Sequence, residues 1–360
     1  MSDYPSLIRK VMARQDMSRN EAAEIAGHLL REDAEGWQFT AFSVAAETKG
    51  ETLDEMLGIL DAMRLHTGPY DIDVPAELMD ISSSGGSGIR KINVSTLATL
   101  VVGEPGLAIA KQSFFGITSL AGSVDVLRDV GIQVPALTLA QLERLLLTVG
   151  IAFLSPLFLS PELENVTNFG RVLGAKAIGV RTPFHMAVPI FTPLPLKYRM
   201  FGNNRGEQLD LLAGIFRALG YHSALAVHGM EGLDEVSLCG PSRLRGFIGE
   251  AEVDMLLQPE QVGLKTVPPE AVAPRDARSN TRDFLRIAHG LEKGPKRDLV
   301  ALNSGVALYL TGRSPSIADG VELAISRLDS GKVGEKLAAV VEQVGSPDAL
   351  RQAARDALAS

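Results

Sequence analysis

The chain changes its hydrophobic rhythm near residue 68. Before that point apolar residues recur every three or four positions. Ile25, Leu29 and Leu30 share one helical face, as do Met56, Leu57, Leu60 and Met63. Ser18 with Glu21, and Thr52 with Glu55, have the spacing of a capping box, in which each side chain serves the other residue's backbone N–H at a helix start. Nothing in this stretch alternates as a strand would. Residues 1–70 are therefore expected to form a small helical domain that ends at the breaker cluster His66, Thr67, Gly68 and Pro69.

Beyond it, short apolar runs alternate with helical patterns. Strands are expected at 79–81, 107–110, 221–227 and 252–257. Helices are expected from about Ser95, after the capping box of Thr138 and Gln141, and across 283–289, 298–310, 317–328 and 333–344. This alternation favours a mainly parallel central sheet flanked by helices, giving an α/β fold over residues 71–360 beside the small all-helical domain.

Composition narrows the functional classes. At 360 residues the chain can bury a large core, and its net charge of −8 argues against a general nucleic-acid coat. Cys239 is the single cysteine, so an intrachain disulfide and a cysteine-based metal cluster are both excluded. No apolar run is long enough to span a bilayer, and the first residues lack a signal layout. A cytoplasmic location is expected.

Candidate chemistry concentrates in the Gly/Ser segment 82–96, which follows a strand and opens a helix. Glycines let backbone amides approach an anion without a Cβ in the way, and a helix N-terminus adds free N–H groups. Asn93, Ser95 and Thr96 add short polar side chains at that helix start. Such a loop serves as a tight turn as readily as a phosphate cradle. A second candidate is Asp234–Glu235, two adjacent carboxylates on a loop, a pattern that suits Mg2+ or a solvated surface pair.

Several segments together resemble the anthranilate phosphoribosyltransferase family. SGGSG at 84–88 with NVST at 93–96 is similar to its GTGGDG…NxST loop. Lys111 stands where its KHGN motif begins, and AGSVDVL at 121–127 is similar to its SGSADVL segment. VHGMEGLDEVS at 227–237 matches its VHGxDGLDExS motif, and GPKRDLV at 294–300 with LNSGVALY at 302–309 matches its C-terminal run. The resemblance spans nearly the whole chain, in order.

The resemblance implies a helical domain and an α/β domain meeting over a cleft, usually in a homodimer. The helical domain would be completed by helices from about 160–185, with Trp37 in its core or dimer face. It also implies an enzyme. Phosphoribosyl pyrophosphate would lose pyrophosphate through an oxocarbenium-like transition state, and an aromatic nitrogen would attack the anomeric carbon. The implied substrate-binding residues are Ser83, Gly85, Gly86, Ser87, Lys91, Asn93, Ser95, Thr96, Lys111, Phe114, Ser119, Ser123 and Arg171. Ser95, Asp234 and Glu235 would hold Mg2+, and no residue is assigned as acid or base; His228 is expected to be a structural hydrogen-bonder.

Departures from the family pattern fall mainly on the acceptor side. KHGN reads Lys111, Gln112, Ser113, Phe114 here, followed by Phe115 in place of arginine. Gly170 stands where the family arginine pairs with the acceptor carboxylate, with Arg171 beside it. In the loop itself Ser87 replaces an acid and Lys91 replaces a threonine, which makes it more attractive to polyanions. The first expectation is therefore a phosphoribosyltransferase with an anthranilate-like or altered aromatic acceptor, tryptophan biosynthesis being the pathway an anthranilate acceptor would imply. The second is a non-catalytic paralogue that binds nucleic acid or another polyanion in the same cleft. The third is a nucleoside phosphorylase.

Overall fold

The computed structural model describes residues 4–31, 36–68, 70–74, 77–104, 106–116, 121–155, 163 and 180–358. The chain divides into two compact units, one of residues 1–71, 155–195 and 217–219, the other of residues 72–154, 196–216 and 220–360.

The first unit is helical. Its N-terminal part comprises α1 (Tyr4–Met12), α2 (Arg19–Arg31), α3 (Trp37–Lys49) and α4 (Leu53–Thr67). Both expected capping boxes form. Ser18 and Thr52 hydroxyls accept from Glu21 and Glu55 N–H, and those two glutamates accept from the Ser18 and Thr52 N–H in return. Glu55 does more than cap α4. Its buried carboxylate also accepts from Met17 N–H and pairs with Lys49 at 2.9 Å, fastening the α1–α2 linker and the end of α3 to one charge. The apolar faces predicted for α2 and α4 are buried, and α4 crosses α2 at Gly58, where a Cβ would lie 2.2 Å from the Arg19 carbonyl oxygen. A later helix, Pro183–Ile190, sends Phe184 against Phe39, ring centroids 5.6 Å apart. Trp37 is 55% exposed at the start of α3, so it is not part of this unit's core.

The second unit is built on a seven-stranded sheet in the order β3-β2-β1-β4-β5-β6-β7. The strands are β1 (Glu77–Ser83), β2 (Leu107–Gln112), β3 (Ile151–Leu154), β4 (Tyr198–Gly202), β5 (Ser223–Gly229), β6 (Ser242–Ile248) and β7 (Ala251–Leu257). The first five are mutually parallel, and β6 and β7 add an antiparallel edge. Strands β2 to β5 are buried along their whole length, which explains why they are mostly apolar without strict alternation. Helix α5 (Val94–Val102) packs on β1 and β2, helix Leu139–Thr148 on β2 and β3, and helix Pro295–Leu310 on β4, β5 and α5. Strand β7 is exposed, and charge guards this edge: Arg243 pairs with Asp254 at 3.0 Å and Arg245 with Glu252 at 2.6 Å.

Strands β3, β4 and β6 are additions to the sequence expectation, as are the helices Ser123–Asp129, Leu209–Ala218 and Pro347–Leu358. Strand β3 has four residues and directly follows a leucine-rich helix, so its pattern merges with that helix. Strand β6 is interrupted by Arg243 and Arg245, and the final helix Pro347–Leu358 is alanine-rich and weakly apolar. Strand β4 carries Arg199 in its middle, a residue type that argues against a central strand unless it is neutralised.

That neutralisation is complete. Arg199 and Asp80 are register partners on β4 and β1, and their side chains are both fully buried. They pair at 3.0 Å; Asp80 also accepts from Ser82 at 2.5 Å and from Gln112 N–H at 2.9 Å. The guanidinium donates to Tyr221 and lies over the rings of Phe201 and Phe216. Truncating one partner of such a pair leaves the other charge buried and unmatched. Arg199→Met is expected to cost about 3–5 kcal/mol of stability in urea unfolding. A cost near zero would mean that the pair is not sealed from water.

Candidate functional site

Strand order fixes where a ligand can bind. From β1 the chain runs outward through β2 to β3, then returns to the other side of β1 as β4. In open α/β sheets ligands bind outside the carboxyl ends of the strands where the order reverses, which here is the end of β1 and β4. The segments that follow β1, β4 and β5 supply the candidate residues.

After β1, Gly85, Gly86 and Gly88 adopt φ of 65°, 74° and 70°, the left-handed region that suits glycine. Nothing lies within 4 Å of the place a Cβ would occupy at Gly85 or Gly88, so the loop faces open space there. Its far side is fastened to the segment after β4: Ser84 N–H donates to the Gly202 carbonyl and the Asn204 amide donates to the Gly86 carbonyl, both at 2.8 Å. Asn204 was not foreseen, and the only sequence signal was its place just after a strand. The loop leads into α5, whose first-turn N–H groups have no intrahelical acceptor. Asn93 is the N-cap residue, but its side chain accepts from Asn280 at 2.5 Å instead of capping. Ser95 lies half-buried on the first turn of α5. The Thr96 hydroxyl is buried with no hydrogen-bond partner, an unusual state that a ligand or water would relieve.

Asp234 and Glu235 follow β5 and are buried, not solvated. Lys91 reaches between them. Its ammonium bonds Asp234 Oδ1 and lies 3.7 Å from Glu235 Oε1, while Ser83 donates to Asp234 Oδ2 at 2.8 Å. Burial opposes the charge on Lys91, yet the two carboxylates outweigh it and raise its pKa above the ordinary value. Burial would likewise raise Asp234, but Lys91 and the Ser83 and Ser87 hydroxyls hold it below the usual range. Glu235 is pushed up to about 7 by burial, with Asp234 adding and Lys91 opposing. The Asp234 charge is already matched, and both its oxygens are engaged. Ser95, Asp234 and Glu235 thus do not fit a divalent ion while the Lys91 ammonium is in place, and among the described residues no cluster of three or more His, Cys, Asp or Glu is placed for a metal.

Two buried side chains support this arrangement. The Lys111 ammonium donates to the Ile81 and Gln112 carbonyls at 2.9 and 3.1 Å. Burial lowers its pKa, with Asp80 and Glu235 opposing. Asn303 brackets Val236, accepting from its N–H at 3.0 Å and donating to its carbonyl at 2.8 Å, so the turn that bears the carboxylates is pinned from helix Pro295–Leu310. His228 bonds the Asn203 carbonyl at 2.8 Å. After β2, Ser123 fixes the backbone of Phe114, accepting from its N–H at 3.0 Å and donating to its carbonyl at 3.3 Å. Phe114 is half-buried and Phe115 is 40% exposed. Ser119 and Arg171 lie outside the described residues.

This fold and loop arrangement define a known class. Residues 75–333 match the a/b domain of the glycosyl transferase family and residues 5–67 match that family's helical bundle domain. The chain belongs to this family, and it is a glycosyltransferase of the pentosyl-transferring kind. It is 33% identical to the anthranilate phosphoribosyltransferase of Exiguobacterium sibiricum over 334 residues, 92% of this chain and 95% of that protein. The corresponding enzyme of Pelotomaculum thermopropionicum is 34% identical over 340 residues, 94% and 96% of the two chains. A solved anthranilate phosphoribosyltransferase from Thermus thermophilus superposes with a TM-score of 0.84 at 30% identity, covering 94% of this chain and 98% of that one. The Saccharomyces cerevisiae enzyme, solved in complex with PRPP and Mg, shares the fold at a TM-score of 0.82 and 20% identity, covering 95% and 97%.

The turn that carries Asp234 is pressed against β4. A Cβ at Gly202 would lie 2.0 Å from the Asp234 carbonyl oxygen, while pairing to Ser83 and Val227 holds Gly202 in the sheet. Gly202→Ala is expected to destabilise by about 1–3 kcal/mol, the usual cost of overpacking, measured by urea unfolding. A change within about 0.5 kcal/mol, as at ordinary surface sites, would show that this turn is free to move.

Proposed function

We propose that this chain is a phosphoribosyltransferase that takes phosphoribosyl pyrophosphate as donor and passes the phosphoribosyl group to the nitrogen of a small aromatic acceptor. The observation that carries this reading is the open loop of left-handed glycines, docked at the switch point and leading into α5 with the buried Thr96 hydroxyl unpartnered. Cleavage at the anomeric carbon releases pyrophosphate, so the site must stabilise several negative charges as the bond breaks. Loop amides and the N-terminus of α5 are suited to that task. Mg2+ is the cofactor of this reading, and when bound it neutralises charge on the pyrophosphate.

The acceptor side supports an altered specificity. Phe114 has no side-chain donor for an amine, and Ser123 holds its backbone in a fixed position. Phe114 and the partly exposed Phe115 present flat apolar surface that suits stacking on an aromatic or heterocyclic ring. An anthranilate carboxylate would in addition need a cation. The polyanion alternative loses one of its motives, because the Lys91 charge is compensated by Asp234 and is not displayed to solvent.

Calorimetric titration with phosphoribosyl pyrophosphate, with and without Mg2+, tests the donor site. Binding is expected with Mg2+ present. Gly86→Val, which forces a β-branched residue into the left-handed region, is expected to weaken it at least about tenfold. Pyrophosphate release across a panel that includes anthranilate and other aromatic amines then identifies the acceptor. No heat under either condition would overturn the reading, and salt-sensitive retardation of nucleic acid would then favour the second expectation.

A further inference from the structure

The family pattern has a threonine where this chain has Lys91, and the consequence is visible in the fold. Lys91 lies at the end of the glycine loop, three residues before α5. Its side chain is only 15% exposed, and those of Asp234 and Glu235 are 1% and 3% exposed. The ammonium bonds one Asp234 oxygen, Ser83 takes the other, and the nearest Glu235 oxygen is 3.7 Å from the ammonium. The Asp234 turn has little freedom to rearrange, since β4 at Gly202 and the Asn303 side chain confine it. A divalent ion on these carboxylates would need the oxygens that Lys91 and Ser83 use, and would stand beside a positive charge of like sign.

We propose that Lys91 is the resident cation of the Asp234–Glu235 pair, a tethered ammonium occupying the position from which the family's carboxylates would hold a metal ion. The carboxylate pair is then structural in this chain. It anchors the glycine loop to the turn after β5 and takes up no divalent ion of its own. On the phosphoribosyl reading, on which this last step rests, Mg2+ enters the site only on the donor's pyrophosphate.

The test uses Mn2+ as a spectroscopic probe of the carboxylates, with no donor present, so it stands whether or not the phosphoribosyl reading does. Free Mn2+ is followed by electron paramagnetic resonance during titration of the wild type, Asp234→Asn, Lys91→Ser, Lys91→Arg and the double variant Lys91→Ser with Asp234→Asn. The wild type and Lys91→Arg are expected to take up no Mn2+ that depends on Asp234. Lys91→Ser is expected to gain one site at least about tenfold tighter than any in the wild type, lost again in the double variant. Its melting temperature should also rise with added Mn2+, because a ligand that binds only the folded state stabilises it. Uptake of one Mn2+ by the wild type, abolished by Asp234→Asn, would overturn the proposal. So would a folded Lys91→Ser that binds none. Should Lys91→Ser not fold, the wild-type arm decides alone: Asp234-dependent uptake overturns the proposal and its absence supports it.

Discussion

Two neighbouring carboxylates are taken out of water at the end of a parallel sheet, and the chain has to match their charge on the spot. Lys91 matches one of them from the glycine loop and lies near the other, and that one side chain organises the surroundings. It ties the segment after β1 to the segment after β5 across the intervening β4. The three left-handed glycines can then keep an open course, since the end of the loop is held by charge instead of by side-chain packing. Desolvation would make this arrangement unfavourable if any member were left unpaired. Ser83, Ser87 and Asn303 are therefore as much part of it as the ions themselves.

A second charge pair lies deeper in the same sheet. Asp80 and Arg199 join β1 to β4 at the pair of strands where the order reverses. Side chains of alternating sign thus run from the middle of the sheet to its carboxyl end: Arg199, Asp80, Lys111, Glu235, Lys91, Asp234. Burial is the main cause of the shifts of Lys111 and Glu235, and charged neighbours along this line act on each of them as well. Such a series fixes the relative height of β1, β2 and β4 more strictly than aliphatic packing would, because sliding any strand would separate opposite charges in a low-dielectric interior.

Much of this was legible in the sequence, for identifiable reasons. Helices with caps announced themselves through side-chain spacing, and the boxes at Ser18, Thr52 and Thr138 all form. Strands β1, β2 and β5 stood out as short apolar runs beside turn residues. Strand β4 did not, because a lone sequence cannot show that Arg199 will meet Asp80 more than a hundred positions away in the chain. The glycine loop and the Asp234–Glu235 turn were visible as motifs. Their joining through Lys91 was not, since nothing in the local spacing shows which way a single lysine points. The roles of Asn204 and Asn303 are of the same kind: each acts on backbone from another element, and that leaves no trace in local spacing.

The placement of Trp37 has a practical corollary for optical work on this protein. It is the only indole among 360 residues, and it sits largely exposed on the helical unit, while the charge-laden sheet belongs to the other. Tryptophan fluorescence therefore reports the local state of one unit and is blind, to first order, to the other, whereas far-ultraviolet dichroism sums over both. Where the two signals diverge during denaturation, the gap between them measures how independently the halves of the chain lose their order.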